Sequence, residues 1–75
     1  MNAQRTIKLP LRLHAVGSMA ALLERLERQP RSASAAQYQA VAQRLRVMLA
    51  ETEPDPYLDA LLDHFPAAAE LYENL

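Results

Sequence analysis

The chain has 75 residues, no cysteine, two histidines and a net charge of −1 at pH 7. Without cysteine it can form neither a disulfide framework nor the usual thiolate zinc site, and two histidines alone cannot close a metal site. A chain of this length is expected to form one small domain, residues 1–75, that depends on burying leucine and alanine side chains. The sequence shows no signal peptide or membrane span, so we expect a cytoplasmic protein.

The first element in chain order is predicted to be a β-strand over residues 6–15. In this range apolar side chains alternate with polar ones or proline, which is typical of a strand with one buried face. Because Pro10 has no N–H for a ladder hydrogen bond, the strand is expected to pair on one side only. The apolar positions are Ile7, Leu9, Leu11, Leu13 and Ala15.

A first helix is predicted over residues 19–29. Gly17 is expected to end the strand, and Ser18 is a favourable N-cap residue. Pro30 ends the helix because proline disfavours helical backbone at the residue before it. One helical stripe collects the apolar side chains Met19, Leu22, Leu23 and Leu26.

The second helix is predicted over residues 35–51. Ser34 and Gln37 have the spacing of a capping box at its start. Apolar side chains then recur at helical spacing from Tyr38 to Leu49. The short loop between the first two helices predicts an antiparallel helical hairpin.

Two shorter helices are predicted in the C-terminal third of the chain, over residues 56–64 and 67–74. Asp55 and Pro56 have the identities favoured at the N-cap and the first helical position. Pro66 separates the two helices. The sequence thus predicts a predominantly α-helical α+β domain with one N-terminal strand, a helical hairpin and a C-terminal part split at Pro66.

Charge is distributed unevenly along the chain. Residues 1–50 hold eight basic and two acidic residues, a net charge of +6, whereas residues 51–75 hold seven acidic residues and no lysine or arginine. The two halves can neutralise each other within one chain or between chains. In a second interpretation, the basic half faces nucleic acid and the acidic half faces a protein.

The lone strand suggests self-association. A strand cannot satisfy its own backbone groups, and the chain contains no second strand pattern. We expect it to pair with the same strand of a second copy about a two-fold axis, giving a homodimer. Addition to another protein's sheet edge, or an arm lying over the helices, stays open. The expected dimer interface consists of Ile7, Leu9, Leu11 and Leu13.

The sequence favours a protein–protein interaction module over an enzyme. Tyr57 lies off the apolar stripe of its helix, where a tyrosine can anchor a partner. Asp59 and Asp63 follow at i,i+4 spacing, which is more typical of a solvated or partner-facing surface than of an acid/base or metal site. No nucleophile elbow or phosphate-binding loop occurs, so we predict no catalytic residue, cofactor or metal.

The order of strand, helix and helix, with a basic outer strand face, resembles the ribbon-helix-helix DNA-binding fold over about 45 residues. That resemblance implies that Lys8, Arg12 and His14 face the bases. It also implies that the start of the second helix, near Ser32 and Ser34, contacts phosphate. The acidic C-terminal part would then hold a partner protein, as in small antitoxin-like repressors. A small DNA-binding regulator is therefore the second functional hypothesis.

Overall fold

Helices account for nearly all regular structure in this computed structural model, which describes residues 8–28 and 35–75. A 3-10 turn at Leu11–Leu13 leads into α1, and three further helices follow. α1 packs against both α2 and α4, α2 also packs against α4, and α3 contacts α4. The helix bounds are α1 His14–Arg28, α2 Ala35–Ala50, α3 Pro56–His64 and α4 Pro66–Glu73.

The β-strand predicted for residues 6–15 is wrong wherever the structure describes that range. Residues 8–10 have no regular secondary structure, Leu11–Leu13 form the 3-10 turn, and α1 begins at His14 rather than at residue 19. Residues 6 and 7 lie outside the described ranges. Since no strand occurs in residues 8–28 or 35–75, the fold there is all helical and not α+β.

Helical spacing explains why the alternation of apolar and polar residues over residues 6–15 wrongly predicted a strand. Leu13, Val16, Ala20 and Leu23 are all buried, and they fall on one helical stripe at i, i+3, i+7 and i+10. Leu11, which a strand would place on the same face as Leu13, is 81% exposed, whereas Leu13 is 1% exposed. A helix also satisfies its backbone within its own segment, while a lone strand would have no partner within the chain.

Gly17 and Ser18 do not separate two elements, because both lie inside α1. Gly17 is buried, and no described glycine has a positive φ, so backbone freedom is not its role. A Cβ at this position would lie 2.9 Å from Leu9 Cδ1. The missing side chain thus lets Leu9 pack against α1. The predicted N-cap, Ser18, is an exposed residue within the helix.

The start of the helical region is set by Pro10. Its backbone is extended, with φ −62° and ψ 155°. Its carbonyl accepts a hydrogen bond from the Leu13 N–H at 2.9 Å, which closes the 3-10 turn. Proline suits this place because it needs no N–H partner at the entry to a helix.

The C-terminal helices follow local sequence signals. Asp55 Oδ1 accepts a hydrogen bond from the Leu58 N–H at 2.9 Å, and Pro56 is the first residue of α3. Phe65 has extended backbone and separates α3 from α4, which begins at Pro66 rather than at residue 67. Ser34, the first residue of the capping box predicted for α2, lies outside the described ranges.

Leucine and alanine form the core. Ala20 in α1, Ala42 in α2 and Ala68 in α4 are buried in this core, and small side chains of this kind allow closely packed helices. In the ranges described, every buried side-chain nitrogen or oxygen has a hydrogen-bond partner. None of the helices there combines the length and apolarity needed to cross a membrane. The largest fully buried side chains are Leu13, Leu23, Leu45, Leu49, Leu58 and Leu61.

Leu11 and Leu13 provide a matched test of this fold. Leu13→Ala removes a fully buried side chain and should lower the free energy of unfolding by about 2–5 kcal/mol. Leu11→Ala removes an exposed one and should change it by about 0.5 kcal/mol or less. Urea denaturation followed by circular dichroism measures both. Equal losses would contradict the helical assignment and favour a strand that buries both leucines.

Candidate functional site

An ion pair between Arg12 and Asp55 joins the N-terminal turn to the start of α3. It is the only ion pair within residues 8–28 and 35–75. The guanidinium donates to Asp55 Oδ2, while Oδ1 of the same carboxylate caps α3 at Leu58. The Arg12 side chain is half exposed, and such a pair contributes about 0–1 kcal/mol. The pair joins two parts of the chain that are 43 positions apart.

A cleft of about 490 Å³ lies beside this ion pair. Arg12 and Leu13 line one side, and the α2–α3 connection, residues 51–55, lines the other. Glu51 and Glu53 contribute carboxylates to this rim. In the described part of the chain, no group of three acidic or histidine side chains is placed to hold a metal ion.

Two large, mostly exposed side chains lie within two positions along the chain of the paired residues. Leu11 directly precedes Arg12, and Tyr57 lies two residues after Asp55, with 81% and 53% of their surfaces exposed. The Arg12–Asp55 contact brings the chain segments that carry these two side chains together. We call this region, formed by Leu11, Arg12, Asp55 and Tyr57, the Leu11–Tyr57 surface. Exposed apolar groups within a polar rim are typical of contact surfaces.

The structure places the other residues of the expected dimer interface differently. Leu13 lies in the core, and Leu9 is partly buried against Gly17. Ile7 lies outside the described ranges. Among the described residues of that set, Leu11 alone presents most of its side chain to solvent.

The residues implied by the ribbon-helix-helix resemblance are not brought together on a strand. Lys8 is exposed, Arg12 pairs with Asp55, and His14 Nε2 donates to the Leu9 carbonyl at 3.0 Å. Because residues 8–15 contain no strand, the resemblance loses its topological basis. Ser32 and Ser34 lie outside the described ranges.

A groove runs along α1 beside the α3–α4 junction. It consists of two depressions of about 360 and 260 Å³ that share Ala21 and Phe65. Leu9 and Gly17 line the first depression, which is the apolar end, together with His14 and Ser18. Arg25 and Arg28 line the second, which is the basic end, together with Glu24 and His64. We call this feature the α1 groove.

Glu24 lines the groove but is engaged by the fold. Its Oε1 accepts a hydrogen bond from the Ala67 N–H at 3.1 Å, in the first turn of α4. The N-cap residue of α4, Phe65, has no side-chain acceptor, so a carboxylate from another helix satisfies this N–H. Negative charge is also favourable at a helix N-terminus. Sequence reasoning missed this contact because its partners are 43 positions apart.

A second cross-helix contact holds the hairpin. The Tyr38 hydroxyl donates to Glu27 Oε2 at 2.5 Å and links α2 to α1. This hydrogen bond is the largest cause that raises the pKa of Tyr38 to about 12, followed by burial and the negative charge of Glu27. The carboxylates of Glu70 and Glu24 contribute further.

The charged faces of the two halves remain mostly unpaired. Arg25, Arg28 and Arg44 are exposed and form no ion pair with any described carboxylate. The undescribed segments 1–7 and 29–34 contain no aspartate or glutamate. These three arginines therefore have no ion-pair partner among residues 8–28 and 35–75. Asp59 and Asp63 are exposed on α3 and pair with no described basic residue.

Comparisons with known proteins give no match for this chain. No protein-family model matches it, and no curated protein or solved structure is significantly similar to it.

Glu24 allows a test of the cross-helix cap. Glu24→Ala should lower the free energy of unfolding by about 0.5–2 kcal/mol, since it leaves the Ala67 N–H without its acceptor. Glu24→Gln keeps an acceptor oxygen and should lose less. Thermal denaturation measures both, with Glu53→Ala in the exposed connection as the control. A loss for Glu53→Ala as large as that for Glu24→Ala would contradict the cap.

Tyr38 makes stability dependent on pH. Its pKa is raised from 10.0 to about 12 in the folded chain, so the folded state retains the proton where the unfolded state releases it. The contribution of the protonated Tyr38 hydroxyl to the free energy of unfolding is therefore complete below pH 10, and it declines as the pH rises toward 12. Glu27→Gln should shift the Tyr38 titration toward lower pH. The titration is measured by tyrosinate absorbance, with Tyr38→Phe identifying the signal of Tyr38. An unchanged titration would show that Glu27 is not the cause.

Proposed function

We propose that this chain is a protein–protein interaction module that forms a homodimer through the Leu11–Tyr57 surface. The observation that carries this proposal is the exposure of Leu11 and Tyr57, 81% and 53%, in the two chain segments that the Arg12–Asp55 ion pair joins. The proposal needs no strand pairing, because side chains on helical backbone supply the contact.

Association would remove the exposed Leu11 and Tyr57 side chains from water. Moving a large apolar side chain from water into a packed interface contributes about 1.5–3 kcal/mol. Leu11 and Tyr57 are attached to backbone held by the Leu13 core contact and by the Asp55 cap of α3. This preorganisation reduces the conformational entropy lost on association.

The surface is suited to a second copy of the same chain because it carries both signs of charge. Arg12 pairs with Asp55 and lines the same cleft as Glu51 and Glu53. In a two-fold symmetric dimer, a residue of one copy that contacts a second residue of the other copy forms this contact twice, once in each direction. Leu11 of one protomer can therefore pack against Tyr57 of its partner, with opposite charges around the contact.

The solution mass over a concentration series tests the proposal. Light scattering should show a dimer for the wild-type chain, and Leu11→Asp or Tyr57→Asp should raise the dimer Kd at least tenfold, about 1.4 kcal/mol or more. Leu75→Asp is the matched control, since Leu75 is an equally apolar side chain that is 54% exposed at another place. A wild-type chain that stays monomeric, or a control that weakens the dimer equally, would overturn the proposal.

A further inference from the structure

The basic end of the α1 groove holds two arginine side chains without a partner in the described part of the chain. Arg25 and Arg28 line this depression of about 260 Å³. Both are exposed, and neither forms a hydrogen bond or an ion pair with residues 8–28 or 35–75. A guanidinium group carries five N–H donors in a planar fork. The basic end therefore offers donors and positive charge to an anion from solution.

The two arginines lie on the face of α1 that forms the groove. With 3.6 residues per turn, Ala21, Arg25 and Arg28 fall within about 60° of one another around the helix axis. Side chains of a helix lean toward its N-terminus, so both guanidinium groups lean toward Ala21. Ala21 lines both depressions. The positive charge is thus directed to the place where the basic and apolar ends meet.

The α3–α4 junction supplies another part of the lining. The rings of His64 and Phe65 pack edge to face, with their centroids 4.8 Å apart. His64 lines the basic end, where its imidazole adds an N–H donor. Phe65 lines both ends and provides an aromatic surface beside the donors. Hydrogen-bond donors for an anion and an apolar surface therefore adjoin each other in one groove.

Glu24 is the single carboxylate among the lining residues of the groove. Its Oε1 accepts the Ala67 N–H at 3.1 Å, so its charge lies at the N-terminus of α4. The positive end of the α4 dipole stabilises a carboxylate in this place. Glu24 forms no ion pair with Arg25 or Arg28. The two arginines therefore keep their donors for an external anion.

We propose that the α1 groove binds a phosphate monoester with an apolar or aromatic substituent. The phosphoryl oxygens accept hydrogen bonds from Arg25, Arg28 and His64. The substituent lies over Ala21 and Phe65, toward the apolar end. A phosphoryl group has three acceptor oxygens and a charge of about −1.5 to −2 at pH 7, so it can engage both guanidinium groups at once. This inference goes beyond the proposed homodimer and does not depend on it.

The dimensions along α1 suit such a ligand. At about 1.5 Å of rise per residue, Arg25 and Arg28 are separated by about 4.5 Å along the helix axis, and Ala21 precedes Arg25 by about 6 Å. One phosphoryl group can therefore contact both arginines. One aromatic ring then covers the distance from the phosphoryl group to Ala21.

NMR titration of the full chain tests the inference with phenyl phosphate as the probe. Inorganic phosphate and phenol, its two halves, are titrated separately. Phenyl phosphate should bind with a Kd of about 1 mM and shift the amide signals of Ala21 and Phe65, and each half should bind about tenfold more weakly. Inorganic phosphate that binds as tightly as phenyl phosphate would overturn the monoester assignment. Phenol that binds as tightly would overturn the role of the arginines.

Substitution of the two arginines locates the site. Arg25→Gln/Arg28→Gln should weaken phenyl phosphate binding about tenfold or more. Both positions are exposed, and circular dichroism should show an unchanged helical fold. The matched control, Arg44→Gln/Arg46→Gln, removes the same charge from α2 outside the groove. At about 0.15 M salt, distant charges are screened, so the control should keep the Kd within about twofold of the wild-type value.

Glu24→Gln gives a third readout. It keeps an acceptor for the Ala67 N–H but removes a negative charge beside the bound phosphoryl group, so binding should become about twofold tighter or more. Weaker binding by this variant would overturn the placement of the phosphoryl group at the basic end. The proposal as a whole is overturned by a wild-type chain without saturable binding up to about 10 mM phenyl phosphate. An unchanged Kd in Arg25→Gln/Arg28→Gln, or an equal loss in the α2 control, would overturn it as well.

Discussion

Burial of one helical stripe, from Leu13 in the 3-10 turn to Leu23 in α1, positions the surface features of the described residues. When Leu13 enters the core, the 3-10 turn leaves Leu11 in solvent, and the same turn brings Arg12 to Asp55. On the flanks of the helix, Glu24 reaches the first turn of α4, and Arg25 and Arg28 border the groove. The candidate contact surfaces are therefore consequences of how α1 packs between α2 and α4.

Acidic side chains have two different uses in this fold. Asp55 and Glu24 cap the N-termini of α3 and α4, where carboxylates complement unpaired N–H groups and the helix dipole. Asp59 and Asp63 make no such contact and remain on the outer face of α3. With one ion pair in the ranges described, the chain leaves most of its charge asymmetry without internal compensation.

The failure of the predicted strand has a specific cause. A period of two and a period of 3.6 both select Leu9 and Leu13, so a short window cannot distinguish them. The stripe that continues through Val16, Ala20 and Leu23 favours a helix, but Gly17 suggested a break between elements. In the folded chain this glycine instead gives Leu9 room to pack. A glycine that serves a side-chain contact has no sequence signature that separates it from one that ends an element.

Local sequence by itself determined α2, α3 and α4, because helical periodicity, the Asp55 cap and the prolines act within a few residues. It also indicated Tyr57, Asp59 and Asp63 as outward-facing positions. Only the tertiary structure decided that Leu11 is exposed and Leu13 buried, and which partners Arg12 and Glu24 have. The physical reason is distance along the chain: both contacts join residues 43 positions apart. Packing of α1 creates such contacts, and no local pattern encodes them.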